Sequence, residues 1–72
     1  MMIAITQMLN ITMVIELTGL SRSTIYEMIN PKSKYYEPAF PKKVNLTTNR
    51  VAWVASEIND WIESRIAIRD HS

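Results

Sequence analysis

Residues 14–28 read VIELTGLSRSTIYEM and contain the clearest structural pattern in the chain. Gly19 stands where the apolar periodicity of a first helix stops, which is typical of the glycine that follows a helix. Ser21 is a good N-cap residue, and the periodicity predicts a second helix from Arg22 to about Ile29. The Asn-Pro pair that comes next ends this helix, because the residue before proline avoids helical backbone. Two short helices that meet at a single glycine have the spacing of a helix-turn-helix.

The second helix has an apolar side and a polar side. Ile25 and Met28 lie on its apolar stripe, against which we expect Val14 and Leu20 to pack. In helix-turn-helix motifs, the first residues of the second helix reach base edges in the major groove of DNA. Arg22 can bond guanine through two hydrogen bonds, and hydroxyl groups can bond phosphates or bases. The candidate DNA-binding residues of this helix are Ser21, Arg22, Ser23, Thr24, Tyr26 and Glu27.

Several of these residues have simpler interpretations. Ser21 is in any case an N-cap, which is compatible with a phosphate contact at the same helix end. Arg22 could be a solvated surface residue, but the motif favours contact with DNA. Tyr26 could belong to the core, but its angle on the helix sets it off the apolar stripe, which favours the DNA face. Glu27 could accept a hydrogen bond from cytosine, although we expect a solvated side chain.

Before the motif, residues 1–10 are predicted to form an N-terminal arm or a short strand, since their apolar residues partly alternate. Thr12 is the expected N-cap of the first helix. The helix-turn-helix then spans residues 12–29.

After the motif, residues 31–41 contain three prolines and are predicted to form a loop. Alternating apolar residues in 42–53, interrupted by the turn cluster at 47–49, predict a hairpin of two short strands. A hairpin that follows a helix-turn-helix is interpreted as a wing. Three basic side chains flank it and could bind the DNA backbone: Lys42 and Lys43 before the first strand, and Arg50 beside the tip.

The end of the chain returns to helical periodicity over residues 54–68. The expected packed stripe consists of Val54, Ile58, Trp61, Ile62, Arg65 and Ile66. Trp53 and Trp61 are interpreted as core anchors, not as platforms for stacking bases. Glu57, Asp60 and Glu63 are interpreted as a solvated helix face, not as catalytic carboxylates. The sequence therefore predicts a single domain, mainly α with a small β-hairpin: a winged helix-turn-helix.

Composition excludes most catalytic and metal chemistry. The chain has 72 residues, of which 47% are hydrophobic, so it holds one domain at most. It contains no cysteine, one histidine (His71) and one glycine. Disulfides, cysteine–zinc sites, a serine–histidine triad and glycine-rich phosphate loops are therefore excluded. We expect no enzyme activity, no cofactor and no small-molecule ligand.

The net charge of +1 is unevenly distributed. Residues 1–19 carry −1, residues 20–50 carry +4 and residues 51–72 carry −2. The basic middle of the chain suggests an electropositive face. The apolar N-terminal run is too short and too polar for a membrane span or secretory signal, so a cytoplasmic, nucleoid-associated protein is expected.

Three groups of residues resemble the AlpA family of prophage regulators. Residues 19–26, GLSRSTIY, carry the most specific part of the likeness, followed by FPKK at 40–43 and by Trp53 with EI at 57–58 and WI at 61–62. The likeness runs from about residue 8 to residue 66. The longer segment at 30–36 resembles the AlpA subgroup proper, whereas Ile15 replaces a usually small residue and 47–49 lacks the glycines many members carry.

The resemblance implies a winged helix-turn-helix related to the DNA-binding domains of MerR-type proteins and excisionases. It also implies a prophage regulator that activates an integrase or excision gene. The expected partner is double-stranded DNA, with further copies of the chain on adjacent sites, RNA polymerase or an integrase as additional candidates, and no membrane.

Two other functions remain open on the sequence. An excisionase-like architectural factor with the same fold would bend attachment-site DNA and direct recombination. A protein-binding module or antitoxin-like partner would instead use the apolar stretch Met1–Ile11. The first differs from a regulator in the DNA bend, and the second would form a stable complex without DNA.

Overall fold

The computed structural model describes residues 5–71, and three helices and three short strands make up its regular structure. In chain order they are β1 (Met8–Leu9), α1 (Ile11–Thr18), α2 (Arg22–Ile29), β2 (Val44–Thr47), β3 (Arg50–Val54) and α3 (Ala55–Asp70). None of the helices in this part of the chain is long and apolar enough to cross a membrane.

Helix α1 begins one residue after Asn10, so the prediction that Thr12 is the N-cap is wrong. The Asn10 side chain accepts a hydrogen bond from the Met13 amide at 2.9 Å, and its carbonyl accepts one from the Val14 amide at 3.1 Å. Because β1 ends at Leu9, the chain must turn at Asn10, where an amide side chain can satisfy the first free N–H groups. Thr12 lies inside the first turn.

The connection between α1 and α2 is a tight turn of three residues. Gly19 has φ of 75°, in the left-handed region, and its amide donates to the Ile15 carbonyl at 2.8 Å. The Thr18 hydroxyl donates to the Val14 carbonyl at 2.7 Å and accepts from the Leu20 amide at 3.2 Å. These bonds satisfy the free groups at the end of α1 and fix the start of the next helix.

The sheet has three antiparallel strands in the order β1-β3-β2, where the sequence predicted a hairpin of two. Leu9 pairs with Trp53, and Val44 pairs with Ala52, so β3 is the central strand. The register between β2 and β3 shifts between Asn45 and Thr47. Of the predicted arm or strand, Met8 and Leu9 form a strand, whereas residues 1–4 lie outside the described part of the chain.

Helix α3 begins at Ala55, so the prediction that Val54 belongs to its packed stripe is wrong. Val54 is the last residue of β3, with extended backbone, and pairs with Met8. The Ala55 amide donates to the Gln7 carbonyl at 2.9 Å, which keeps Val54 in the sheet. The helix continues to Asp70, and Arg65 is exposed instead of packed.

The core lies where α1, α2 and α3 meet the central strand. Trp53, Ile25, Ile58 and Val14 are fully buried, with Leu9, Phe40 and Ala52 nearly so. The ring of Trp61 packs edge-to-face on Phe40, with centroids 4.9 Å apart, and Trp61 is half-buried. Both tryptophans therefore pack against other apolar side chains, as the sequence predicted.

Candidate nucleic-acid interface

The polar residues of the first turn of α2 are exposed, and Ser21 caps the turn. The Ser21 hydroxyl accepts from the Thr24 amide at 3.1 Å and donates to the Thr24 hydroxyl at 2.8 Å. The proton of the Thr24 hydroxyl is therefore left to donate outward. A phosphate or a base acceptor is a suitable partner for it.

Arg22 and Ser23 extend from this turn without a partner among residues 5–71. Both side chains are exposed, and no described residue bonds the Arg22 guanidinium. Ser21, Thr24 and Glu27 are exposed as well, so five of the six predicted DNA-binding residues of α2 lie on the surface of the protein. Such a surface is chemically equipped for hydrogen bonding to the edges of bases.

Tyr26 does not lie clear of the packed side of α2, and the prediction from its helical angle is wrong in that respect. The side chain is half-buried, packs against the core and meets Trp53 edge-to-face with ring centroids 6.2 Å apart. The position of Tyr26 on its helix does not indicate this contact, because Trp53 belongs to β3. Any contact of Tyr26 with DNA would use the remaining exposed part of the ring.

Glu27 is exposed, but it is not simply solvated. Its carboxylate accepts a hydrogen bond from the Ser33 hydroxyl, and the Ser33 oxygen in turn accepts from the Tyr35 amide at 3.0 Å. The backbone ties the same loop to α2, since the Glu37 amide donates to the Met28 carbonyl at 2.8 Å. Helix α2 and the loop after it are thus one connected unit.

Lys42 and Lys43 lie beside α2. Together with Tyr26, Glu27, Ile29, Asn30 and Pro31 they line a groove of about 530 Å³. The fold therefore brings these two lysines to the flank of the helix that carries the candidate base-reading residues. Two ammonium groups at this place favour binding of phosphate.

Arg50 is separated from this cluster. It is exposed and opens β3, opposite Thr47 at the turn end of the hairpin. Strand β2 lies between Lys43 and the turn, and four residues of strand span about 13 Å. Arg50 therefore extends the basic surface along the hairpin instead of joining the groove.

A second groove lies on another flank of α2. Ser23, Thr24, Glu27, Met28, Tyr35 and Glu37 line a groove of about 440 Å³ on the other side of the helix from Lys42 and Lys43. Tyr35 is 61% exposed, and the Lys34 ammonium lies 5.2 Å from the centre of its ring. The basic and aromatic residues of the loop were visible in the sequence, but the bond from Ser33 to Glu27 was not.

The acidic residues of α3 lie on the surface of the helix. Glu57, Asp60 and Glu63 are exposed. Within residues 5–71, no group of three or more histidine, cysteine or carboxylate side chains is arranged to hold a metal ion.

Comparison with known proteins identifies the family. The model of the family described as prophage CP4-57 regulatory protein (AlpA) matches residues 7–66. The DNA-binding transcriptional activator AlpA of Escherichia coli (strain K12) is 42% identical over 59 residues, which cover 82% of this chain and 84% of that protein. Uncharacterized protein ORF88 of Enterobacteria phage P4 is 45% identical over 61 residues, covering 85% of this chain and 62% of ORF88. The chain belongs to the AlpA family of prophage regulatory proteins.

Proposed function

We propose that this chain is a sequence-specific, double-stranded DNA-binding regulator of transcription, built as a winged helix-turn-helix. The observation that carries the proposal is the exposed first turn of α2, where Arg22 and Ser23 have no partner among the described residues. A basic groove lies at its side. The name of the Escherichia coli relative, a DNA-binding transcriptional activator, supports the same function.

In the proposed complex, α2 enters the major groove of DNA. Arg22 and Ser23 contact base edges, with Arg22 suited to guanine. Ser21 and Thr24, which share a hydrogen bond, meet a phosphate at the N-terminus of the helix. Tyr26 is held by Trp53 and offers its exposed edge to the same groove.

The basic side chains beside α2 hold the DNA backbone. Lys42 and Lys43 lie closest to the helix, and Arg50 reaches the DNA from the turn end of the hairpin, which acts as the wing. Contacts of this kind add affinity and fix the orientation of the protein without reading sequence.

The regulated gene is proposed to encode an integrase or an excision function, with activation through RNA polymerase. One small DNA-binding module buries only about 600–1,000 Å² of protein surface. Specific control of a promoter would therefore use further copies on adjacent sites or contact with a second DNA-bound protein. The chain is proposed to act in the cytoplasm, at the nucleoid.

Selection from random DNA tests the proposal. The full chain is mixed with a library of duplexes that contain random 20-base-pair inserts, and bound fragments are sequenced through several rounds. We expect the selected fragments to share a defined motif, and the chain to protect matching genomic sites in footprinting. Deletion of the gene that encodes the chain should reduce transcription of a neighbouring gene. Failure to enrich any motif, with no binding to duplex DNA, would contradict the proposal.

The same DNA decides between a regulator and an architectural factor. A selected site is placed at different positions in fragments of equal length, and gel mobility of the complexes is measured. If the mobility depends only slightly on the position of the site, the DNA is not strongly bent, which supports regulation through protein contacts. A large bend, with sites clustered at a phage attachment site instead of a promoter, would support the excisionase-like function.

A further inference from the structure

We propose that the segment Ser33–Tyr35 is a second clamp on the DNA backbone, placed on the flank of α2 opposite Lys42 and Lys43. In this arrangement Glu27 is a positioning residue that holds the clamp and does not read a base. The inference rests on the proposed function, because it assigns further contacts to the same DNA-binding surface.

The position of the segment follows from the two grooves beside α2. Tyr26 and Asn30 face the groove that contains Lys42 and Lys43, whereas Thr24 and Met28 face the groove that contains Tyr35. Glu27 lines both grooves and so marks the middle of the exposed face. A helix in the major groove lies between two phosphate backbones, and each flank of α2 therefore approaches one of them.

The chemistry of the segment suits a phosphate. Lys34 is exposed and its ammonium lies 5.2 Å from the centre of the Tyr35 ring, which is itself largely exposed. An ammonium group and a phenol hydroxyl are both donors that proteins use toward phosphate oxygens. The one acid in this groove besides Glu27 is Glu37, whose carboxylate accepts from the Ala39 amide at 3.2 Å.

The segment is held in place by bonds to α2. Ser33 donates its hydroxyl proton to the Glu27 carboxylate, and the same hydroxyl oxygen accepts from the Tyr35 amide at 3.0 Å. This chain of bonds connects the centre of the exposed face of α2 to the proposed clamp. A carboxylate at the centre of a DNA-binding surface repels phosphate, and its bond to Ser33 gives it a purpose other than base reading.

Salt titration of single variants tests the clamp. Affinity of the full chain is measured against salt on a duplex selected by the wild-type chain and on a scrambled duplex. Lys34→Ala should make the slope of log affinity against log salt about 0.9 less negative on both duplexes, as expected for one lost phosphate contact. Tyr35→Phe should lower the affinity for both duplexes about threefold to tenfold, as expected for one lost hydrogen bond. Arg65→Ala, which removes one exposed positive charge on α3, is the matched control and should leave the slope unchanged.

Variants of Glu27 and Ser33 separate positioning from base reading. Ser33→Ala and Glu27→Ala should each lower the affinity for the selected and the scrambled duplex to a similar degree. Glu27→Gln keeps a hydrogen-bond acceptor for Ser33 and should select the same DNA motif as the wild type. If Glu27 reads a base, Glu27→Gln should instead change the preferred base at one position, since glutamine favours adenine. That change would overturn the positioning role.

The outcomes also distinguish this inference from the proposed function. Binding by the wild-type chain, with Lys34→Ala and Arg65→Ala giving the same slope, would overturn the clamp alone. No binding of the wild-type chain to any duplex would overturn the proposed function itself. Thermal unfolding of the Lys34, Tyr35 and Arg65 variants, expected to match the wild type because these three side chains are exposed, excludes misfolding as the cause.

Discussion

Gly19 shows how one residue sets the geometry of the turn between α1 and α2. Its φ of 75° is open to glycine and costly for residues with a Cβ, although a Cβ built there would meet nothing within 4 Å. The cost of replacing Gly19 is therefore a backbone cost alone, separate from any steric clash. This is an unusually clean position at which to measure it.

Gly19→Ala should lower the free energy of unfolding by about 1–2 kcal/mol. For a domain of this size that corresponds to a fall in Tm of about 4–8 °C per kcal/mol. Gly19→Asn should recover part of the loss, because asparagine tolerates left-handed backbone. The measurement is thermal unfolding followed by circular dichroism, and an unchanged Tm for Gly19→Ala would show that the turn can relax to another conformation.

Arg22 is the residue expected to carry base specificity. Its side chain is exposed at the start of α2 and has no hydrogen-bond or ion-pair partner among the described residues. Arg22→Ala should cost about 1–3 kcal/mol on the selected duplex and relax the preference at one base pair, with Tm unchanged. Ser23→Ala, at the next position, shows how much affinity is lost when a hydroxyl group is removed instead of a guanidinium group. Equal affinity of wild type and Arg22→Ala on all duplexes would remove Arg22 from the interface.

The ends of a helix could be predicted where they depend on neighbouring residues. They could not be predicted where they depend on strand pairing between distant segments. Helix α2 has the predicted bounds because Ser21 and the Asn-Pro pair after Ile29 act on their own neighbours. The starts of α1 and α3 were missed. Both depend on β1 pairing with β3, a contact between segments more than forty residues apart.

The same reason explains what was missed in the candidate site. The exposed residues of α2 followed from the helical period, whereas Lys42 and Lys43 were candidates because they precede the predicted hairpin. The packing of Tyr26 on Trp53 and the bond from Ser33 to Glu27 depend on where β3 and the loop lie in space. No single-sequence pattern contains that information.

The hairpin and the residues before it should contribute separately to DNA affinity. Lys43→Ala and Arg50→Ala should each make the slope of log affinity against log salt about 0.9 less negative, on selected and scrambled duplexes alike. The double variant should show about twice the change, because β2 separates the two side chains. A loss confined to the selected duplex would indicate base reading, and an unchanged slope would mean that the side chain never touches DNA.

A small core stabilises the entire domain. Ile58 is 1% exposed and lies under the central strand, whereas Ile66 on the same helix is 39% exposed. A chain of this length has a stability on the order of 4–11 kcal/mol. The loss of one buried isoleucine is therefore a large fraction of the total.

Ile58→Ala should lower the free energy of unfolding by about 2–5 kcal/mol, through lost burial and the cavity that remains. Ile66→Ala, the matched change on the same helix, should lose less than half as much. Urea unfolding followed by tryptophan emission measures both. Similar losses for the two variants would mean that the exposed end of α3 is packed in solution.

If α2 carries the proposed DNA specificity, its connection to the loop after it limits how that specificity can be exchanged between relatives. The Met28 carbonyl bonds the Glu37 amide at 2.8 Å, and Glu27 bonds Ser33, so the helix and loop depend on each other. A graft of residues 21–29 alone into another family member would leave the Glu27 carboxylate without Ser33 wherever the host loop differs. A graft of residues 21–40 would carry both partners. The segment to transfer when target choice is re-engineered is therefore about two and a half times as long as the eight residues of α2, the helix proposed to enter the groove.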